Sequence, residues 1–401
     1  MKRFWFLPLF LLPILLMLTG CANDDVGIAQ RAVVQRFGID WDEEKGFAVS
    51  MYIITPDKLS PAGGGGGGGG GGEESGQPES DKPESNGKDK LISYGKTLYD
   101  AIKNFENVLQ LKPYFSHAEA LVIGDSVSKE SLNLITDIFD RNNDFRPSLS
   151  IFCTNGKASD IVLLGDDKPS ASDRAETVAQ LGNDNAQMSS TFLYKVIDLL
   201  RDGAQDLFIP VLSTEKHGKQ DILVVNGTAL FRGDKLVDYI SPEETRNLLF
   251  AKDLVSHADV VIENEELGLV SLSTTKSQTK ITAELDENNK LFFKVKIDSA
   301  LSVEEIVNTK GVVLHENHYQ GIQDAYNKQI EEQVSALIHK MIFEYDVDTI
   351  GFSNLLWAQK PKVWKSITGG DVKKREWLQE VPIYVECHSK VTDVGLAAQK
   401  R

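Results

Sequence analysis

Segments with strand-like and helix-like patterns alternate along the first half of the chain, and this alternation limits the folds available to it. Apolar strand-like runs cover 117–124 and 148–154, while helical spacing of apolar residues covers 97–105, 129–141 and 191–201. Alternating elements of this kind predict a mixed sheet with helices packed on it. We therefore expect an α+β protein built from consecutive mixed α/β domains, with sheets flanked by helices.

The second half of the chain shows a hairpin, a well-marked helix start and one long amphipathic helix. Strand-like runs at 221–231 and 235–239 flank the turn residues 232–234, and more strands are predicted at 259–262, 268–274, 280–285, 291–297 and 381–387. Ser241, Pro242, Glu243 and Glu244 supply an N-cap, a proline at the first helical position and acids on the helix dipole. From 319 to 343 apolar residues recur every four positions, which predicts one buried stripe: Ile322, Tyr326, Ile330, Val334, Ile338 and Ile342.

A glycine-rich insertion follows the first predicted hairpin. Strands are expected at 32–40 and 47–55, and ten consecutive glycines, 63–72, then lead into a polar stretch that continues to about residue 90. Neither part can bury apolar surface, so 56–90 is expected to be a flexible loop. A phosphate-binding cradle would require a defined turn and a Lys-Ser/Thr pair before a helix, and neither is present.

Length and pattern together suggest a division into domains. With 401 residues, two or three domains are expected. We predict a signal peptide at 1–20, an N-terminal α/β domain at 21–215 and a C-terminal α/β domain at 216–401. One interpretation of the pattern divides the C-terminal domain further into two subdomains, at about 216–300 and 301–401.

The N-terminus has the pattern of an exported lipoprotein. Lys2 and Arg3 precede a short apolar run that is interrupted by two prolines and ends in Leu-Thr-Gly-Cys at Cys21. The run is shorter than the roughly 20 residues a spanning helix needs. The last four residues resemble a bacterial lipobox, so Cys21 is the predicted lipid-attachment residue, carrying S-diacylglycerol and an N-acyl group. Two or more acyl chains give stable anchoring, whereas one holds only marginally.

Charge and cysteine content exclude several classes of protein. The formal charge is −16, and removal of Lys2 and Arg3 with the signal makes it −18, which argues against nucleic-acid partners. Apart from Cys21, only Cys153 and Cys387 remain, both in apolar strand-like runs. We expect buried free thiols rather than a disulfide framework.

No catalytic, metal or cofactor site is predicted. His315 and His318 resemble a metal pair, but zinc needs three or four ligands and no third is visible. His117 and Glu119 are expected to be structural rather than an acid–base pair, and no Gly-x-Ser-x-Gly elbow occurs. Three tryptophans could pack in the core or mark a binding face, and packing is favoured: Trp357, Trp364 and Trp377.

Several short motifs in a characteristic order carry a family resemblance. They are Gly38-Ile39-Asp40, His117-Ala118-Glu119-Ala120, the hairpin Phe231 to Leu236, Glu243-Glu244-Thr245-Arg246, Asp348 to Phe352, Pro361-Lys362-Val363-Trp364 and Trp377. Together with the lipobox, the chain resembles the Ger(x)C family, the lipoprotein C subunits of spore nutrient-germinant receptors. The polyglycine insertion departs from the family pattern, in which this loop is shorter.

The resemblance implies a non-enzymatic role in spore germination. Such subunits are expected on the outer face of the inner spore membrane, held to the bilayer through Cys21. Their implied partners are a polytopic A subunit and a transporter-like B subunit, with no nucleic acid. The competing interpretation is a solute-binding lipoprotein that captures a nutrient itself. A surface hydrolase is a third class, but it would need a nucleophile–base pair that the sequence does not show.

Overall fold

The computed structural model of the chain describes residues 31–54, 92–164, 182, 185–218, 220–307 and 311–395. The signal peptide, Cys21 and the glycine-rich insertion predicted at 56–90 lie outside these residues. In the described part of the chain, no helix combines the length and apolarity that crossing a bilayer requires.

The first sheet is mixed and has nine strands among the described residues. Its order is β3–β2–β1–β5–β6–β7–β8–β9, and β4 pairs with the start of β1. β1 runs parallel to β5, which is parallel to β6 and then β7, whereas β2, β3, β8 and β9 are joined by antiparallel pairing. The strands are β1 (Arg31–Asp42), β2 (Gly46–Ile54), β3 (Ile92–Gly95), β4 (Lys112–Tyr114), β5 (Ala120–Ile123), β6 (Ser150–Cys153), β7 (Phe208–His217), β8 (Gln220–Arg232) and β9 (Lys235–Ile240).

Helices cover both faces of the first sheet because its central strands are apolar on both sides. In β5, Leu121 and Ile123 pack with helices on one face, while Ala120 and Val122 pack on the other. The first face carries α1 (Leu98–Leu109), α2 (Asp125–Glu130), α3 (Asn133–Arg141) and α5 (Leu193–Asp202), and the second carries α4 (Ala158–Val162).

The second sheet has one face covered by helices. Its order is β10 (Ala258–Asn264), β11 (Gly268–Leu285), β12 (Leu291–Val307) and β13 (Ile383–Asp393), antiparallel except for the parallel β12–β13 pair. Along β12 buried Phe293, Val295 and Ile297 alternate with more exposed Lys294 and Lys296. The covered face packs against α6 (Pro242–Ala251), α7 (Tyr319–His339), α8 (Phe352–Gln359) and α9 (Pro361–Thr368). Short turns of 3₁₀ helix (Glu316–His318, Glu376–Glu380) and of π helix (Lys340–Glu344) complete this half.

This architecture confirms the predicted α+β class and the long amphipathic helix. Every residue of the predicted stripe is buried, from Ile322 at 0% exposure to Ile342 at 4% in the π turn after α7. The hairpin around residues 232–234 is also confirmed.

Two predicted elements differ from those observed. The helix predicted at 129–141 is two helices, because Ser131 accepts the Asn133 N–H through its hydroxyl oxygen and buried Leu132 donates its N–H to the Asp234 carbonyl. The strands predicted at 268–274 and 280–285 are one strand, β11, because the polar residues between them continue to pair with β12.

The first sheet draws strands from both sides of the predicted domain boundary. Position 215/216 falls inside β7, and β8 and β9 extend that same sheet. The division of the chain at this boundary stays a prediction.

Candidate functional site

The motif Gly38-Ile39-Asp40 lies at the carboxyl end of β1 and fixes α4 against the sheet. The Asp40 carboxylate accepts the N–H groups of Ala158 (2.8 Å) and Ser159 (3.1 Å) at the start of α4. Asp40 is only 9% exposed, and its burial raises the pKa of the carboxyl group in spite of these two bonds. A Cβ on Gly124 would lie 1.9 Å from Asp40 Oδ1, so this position requires glycine.

A cleft opens beside Asp40 where the strand order of the first sheet reverses. The chain adds β2 and β3 on one side of β1 and β5 to β7 on the other. Ligands of open α/β sheets bind outside the carboxyl ends of strands at such a reversal. The cleft has a volume of about 290 Å³. Its walls carry both hydrogen-bonding and aromatic side chains, among them Asp40, Trp41, Asp42, Tyr94, Asp125, Ser126, Lys157 and Ser159.

Tyr239 connects this region to the β8–β9 hairpin. Its hydroxyl donates to Asp125 Oδ1 at 2.9 Å and lies 3.2 Å from the carbonyl oxygen of Thr154. Burial and the hydrogen bond to Asp125 raise the pKa of the Tyr239 hydroxyl well above its usual value. Asp125 is also paired with Lys129 at 2.7 Å. The tyrosine hydroxyl therefore acts as a hydrogen-bond donor that fixes β9 to α2.

A second buried polar cluster joins the two halves of the chain at Asp206. Its side chain is 1% exposed, and its Oδ2 accepts from the Asp348 N–H (2.8 Å) and from Arg375. Asp206 Oδ1 accepts from the Gly233 N–H at 3.1 Å, and Arg375 also donates to the Gly203 carbonyl at 2.7 Å. One carboxylate therefore connects the segment before β7, the β8–β9 turn and two segments of the C-terminal half.

Asp348, the first residue of the Asp348 to Phe352 motif, organises the start of α8 in the same cluster. Its carboxylate accepts the N–H groups of Gly351 (2.7 Å), Phe352 (3.0 Å) and Ser353 (3.0 Å). Burial raises the pKa of this carboxyl group. Gly351 has φ +92°, a left-handed conformation that favours glycine, so the motif's glycine is required by its backbone conformation.

Lys252 adds a buried amine to the junction. Its Nζ donates to the Thr349 carbonyl at 2.5 Å and lies 5.2 Å from the centroid of the Phe208 ring. Burial lowers the pKa of this amine to about 8. Gln205 donates to the same carbonyl at 2.7 Å. These contacts fix the position of one sheet relative to the other.

The Glu243 to Arg246 motif is a helix start with long-range contacts. Ser241 Oγ accepts a hydrogen bond from the Glu244 N–H (3.1 Å), and the Glu244 carboxylate accepts one from the Ser241 N–H (2.9 Å). This reciprocal capping box confirms the predicted N-cap. Glu244 also accepts from Lys340 at 2.7 Å, and Arg246 donates to the Asp259 carbonyl at 2.9 Å. This motif anchors α6 to the π turn after α7 and to β10.

The histidines singled out in the sequence have structural surroundings. His318 Nδ1 accepts the His315 N–H at 3.0 Å, and His318 Nε2 lies 3.5 Å from Glu266. His117 is exposed and packs edge-on against Tyr114, and Glu119 donates its backbone N–H to the Gln35 carbonyl. Within the described ranges, no three His, Cys, Asp or Glu side chains are grouped as a metal would need.

The cysteines and tryptophans divide by burial. Cys153 and Cys387 are buried free thiols, as predicted, and burial raises the pKa of both to about 12. Trp364 and Trp377 are buried in the core of the second half, at 8% and 9% exposure, whereas Trp357 is 58% exposed. The predicted packing role is confirmed for two of the three tryptophans.

The polar junction contains residues that the sequence analysis missed. Asp206, Lys252 and Arg375 belong to no motif, and Asp206 and Arg375 are 169 residues apart. A charge immediately before a buried apolar strand, as at Asp206-Leu207-Phe208-Ile209, is a signal that could have indicated a paired carboxylate, because buried charges are rare unless paired.

Comparison with known proteins places these motifs in a family. Residues 24–214 match the family described as "Spore germination protein N-terminal domain", and residues 226–395 match "Spore germination B3/ GerAC like, C-terminal". Spore germination protein KC of Bacillus subtilis (strain 168) is 24% identical over 99% of this chain and 97% of its own length. Spore germination protein B3 of the same organism is 20% identical over 73% of this chain and 79% of its own.

A solved structure supports the same assignment at the level of fold. The crystal structure of the GerBC protein aligns with a TM-score of 0.57 at 16% identity, covering 89% of this chain and 97% of that one. The two family matches together include the motifs from Gly38-Ile39-Asp40 to Trp377. The chain belongs to the Ger(x)C family of spore germination proteins.

Proposed function

We propose that this protein is a non-enzymatic, lipid-anchored subunit of a spore germinant receptor complex, needed for nutrient-induced germination. The observation that carries the proposal is the pair of family matches at 24–214 and 226–395, which together extend over nearly the whole chain after Cys21. The relatives reported above are spore germination proteins by name.

Anchoring through Cys21 follows from the lipobox and from its position. Cys21 lies three residues before the first family match begins, so processing at this cysteine would leave the matched region intact. Two acyl chains would hold the body on the outer face of the inner spore membrane. Confinement to that surface raises the effective concentration toward membrane-embedded neighbours, so modest protein contacts suffice for assembly.

The partners in this proposal are the polytopic A subunit and the transporter-like B subunit. A rigid body suits an assembly role, because a subunit that presents fixed surfaces loses less conformational entropy on binding. The buried carboxylates support that role. Each of these carboxylates accepts hydrogen bonds from backbone N–H groups: Asp40, Asp206 and Asp348. Asp206 also accepts one from Arg375, so the carboxylates hold separate segments of the chain together.

The test compares Cys21→Ala with Asn23→Ala in otherwise unchanged spores. Cys21→Ala removes the acylated sulfur, so we expect loss of the protein from the membrane fraction, loss of co-purifying polytopic subunits and defective nutrient germination. Asn23→Ala keeps the sulfur and should behave as the native chain. Normal membrane retention and germination of the Cys21→Ala variant would contradict the proposal.

The cleft beside Asp40 favours a second candidate function, direct capture of a nutrient. Its position at the reversal of strand order is where α/β sheets bind small ligands. Gly156 lines the cleft, and a Cβ there would meet nothing within 4 Å, so Gly156→Phe is the substitution chosen to occupy the cleft. If the second function holds, calorimetric titration of the native chain with amino acids and sugars should give a heat of binding. The Gly156→Phe variant should then give none. No heat with the native chain would favour the assembly role.

A further inference from the structure

A groove with an apolar floor separates α1 from α3 on the face of the first sheet that carries α1, α2, α3 and α5. We name it the α1–α3 groove. It has a volume of about 650 Å³. Phe47, Leu98 and Phe115 form a floor that is less than 7% exposed, and Ile102, Leu134 and Ile138 line the walls.

The groove exposes one large apolar side chain on each of its two helices. Tyr99 on α1 and Leu134 on α3 both line it and are 56% and 51% exposed. Exposed apolar patches that polar residues surround are typical of interaction sites. A groove between two helices is the shape that accepts the apolar face of a third helix.

The rim of the groove carries charges of both signs in equal number. Lys103 pairs with Glu106 on α1 at 2.7 Å, and Arg141 pairs with Asp137 on α3 at 2.9 Å. Lys112 and Asp144 complete the rim, giving three cations and three anions. An anionic lipid surface attracts clusters of basic residues, so this balance does not favour direct binding to lipid headgroups. It complements a protein segment that flanks its apolar face with both signs of charge.

The groove is close to the predicted membrane anchor along the chain. Its residues Lys112 and Pro113 belong to β4, where they pair with Arg31 and Ala32 at the start of β1. Arg31 follows Cys21 by ten residues, and an extended chain of that length spans at most about 36 Å. The start of β1, with which this edge of the groove pairs, is therefore held within that distance of the lipidated cysteine, where segments of integral membrane proteins emerge from the bilayer.

We propose that the α1–α3 groove is the docking site for a short amphipathic helix of an integral membrane subunit. This inference rests on the proposed function, because it needs Cys21 to be anchored beside such a subunit. The partner helix has an apolar face that enters between Tyr99 and Leu134. It carries both acidic and basic residues along its edges, opposite the rim of the groove.

Photocrosslinking in membranes tests the docking site directly. Benzoylphenylalanine is placed at Tyr99 or at Leu134 in the full lipidated chain, with Tyr384, 54% exposed on β13, as the control position. We expect crosslinks from the first two positions to a polytopic subunit that also co-purifies with the native chain. The crosslinked peptide should map to an amphipathic segment with charges of both signs. Crosslinks to lipid only, or equal crosslinking from Tyr384, would overturn the inference.

A pair of substitutions gives an independent readout. Leu134→Glu places a charge in the groove, whereas Val108→Glu places one on α1 outside it at nearly the same exposure, 52% against 51%. Both side chains are exposed, so both variants should fold. We expect about tenfold less co-purified polytopic subunit with Leu134→Glu and less than about twofold change with Val108→Glu.

The outcomes separate this inference from the proposed function. If the native chain brings no polytopic subunit with it, the proposed function fails. If the native chain and Leu134→Glu bring the subunit equally well, the proposed function stands and the docking site is wrong.

Discussion

The guanidinium of Arg375 donates a hydrogen bond to the carboxylate of Asp206 across the junction between the two halves of the chain. Asp206 is 1% exposed and the Arg375 side chain 12%, so water screens this pair little. Asp206 also accepts from the backbone of Asp348 and Gly233. The pair therefore lies at the centre of the contacts that fix one sheet relative to the other.

Removing Arg375 should destabilise the protein strongly. Arg375→Leu leaves the Asp206 carboxylate buried without its cation, a change that typically costs about 3–5 kcal/mol. Urea denaturation of the native chain and the variant measures the change in the free energy of unfolding. The control is Arg141→Leu, because the Arg141–Asp137 pair is 78% and 70% exposed and should contribute no more than about 1 kcal/mol. Similar losses in the two variants would show that the junction is not held by this pair.

Gly124 should tolerate no side chain. In Gly124→Ala the new Cβ meets Asp40 Oδ1 at 1.9 Å, so the carboxylate or the backbone must move, at a cost of about 1–3 kcal/mol. Gly156→Ala is the matched control, since its Cβ has nothing within 4 Å. It should leave stability within about 1 kcal/mol of the native chain. Thermal unfolding of both variants checks the contrast, and an unchanged melting temperature for Gly124→Ala would contradict it.

Lys252 should make stability depend on pH in the alkaline range. Burial lowers the pKa of its amine to about 8, against 10.5 in the unfolded chain. Between these values the unfolded chain binds a proton that the folded chain has released, so its contribution makes the free energy of unfolding rise with pH. Below about pH 8 both states are protonated and the buried charge lowers stability by a constant amount, about 3 kcal/mol.

The variant Lys252→Met isolates this effect from other titrating groups. It should be more stable than the native chain at pH 7, and the difference should shrink as the pH approaches 10.5. The Thr349 carbonyl keeps its hydrogen bond from Gln205 in this variant. Urea unfolding from pH 7 to 10 measures the difference, with exposed Lys362→Met as control. A difference that does not change with pH would show that Lys252 is not the group responsible.

The tryptophans of α8 and α9 should differ in what they contribute. Trp364 is 8% exposed, so Trp364→Ala should leave a cavity and cost about 3–5 kcal/mol. Trp357→Ala removes a ring that is 58% exposed and should change stability by less than about 1 kcal/mol. Denaturant midpoints of the two variants provide the measurement. Equal effects would contradict the assignment of Trp364 to the core.

Local signals explain which features could be predicted from the sequence. The hairpin at residues 232–234, the capping box at Ser241 and the buried stripe of α7 each depend on residues close together in the chain. The motif Gly38-Ile39-Asp40 was visible for the same reason. Its role was not, because Asp40 bonds to Ala158, 118 residues away.

Long-range pairing explains what could not be predicted. In the sequence Asp206 and Arg375 do not differ from other charged residues. No neighbouring residue of either one identifies the other as its hydrogen-bond partner. The break between α2 and α3 likewise depends on Asp234, more than 100 residues later, which accepts from Ser131 and from the backbone of Leu132. Periodicity alone predicts one continuous helix there.

The lipid-anchored role depends most on the sulfur of Cys21, and mass spectrometry of the mature N-terminus from purified spore membranes tests that role most directly. We predict an N-terminal peptide that begins at Cys21 and carries the mass of a diacylglyceryl group with a further N-acyl chain. An unmodified Cys21, or a chain that retains residues 1–20, would contradict the lipid-anchored role.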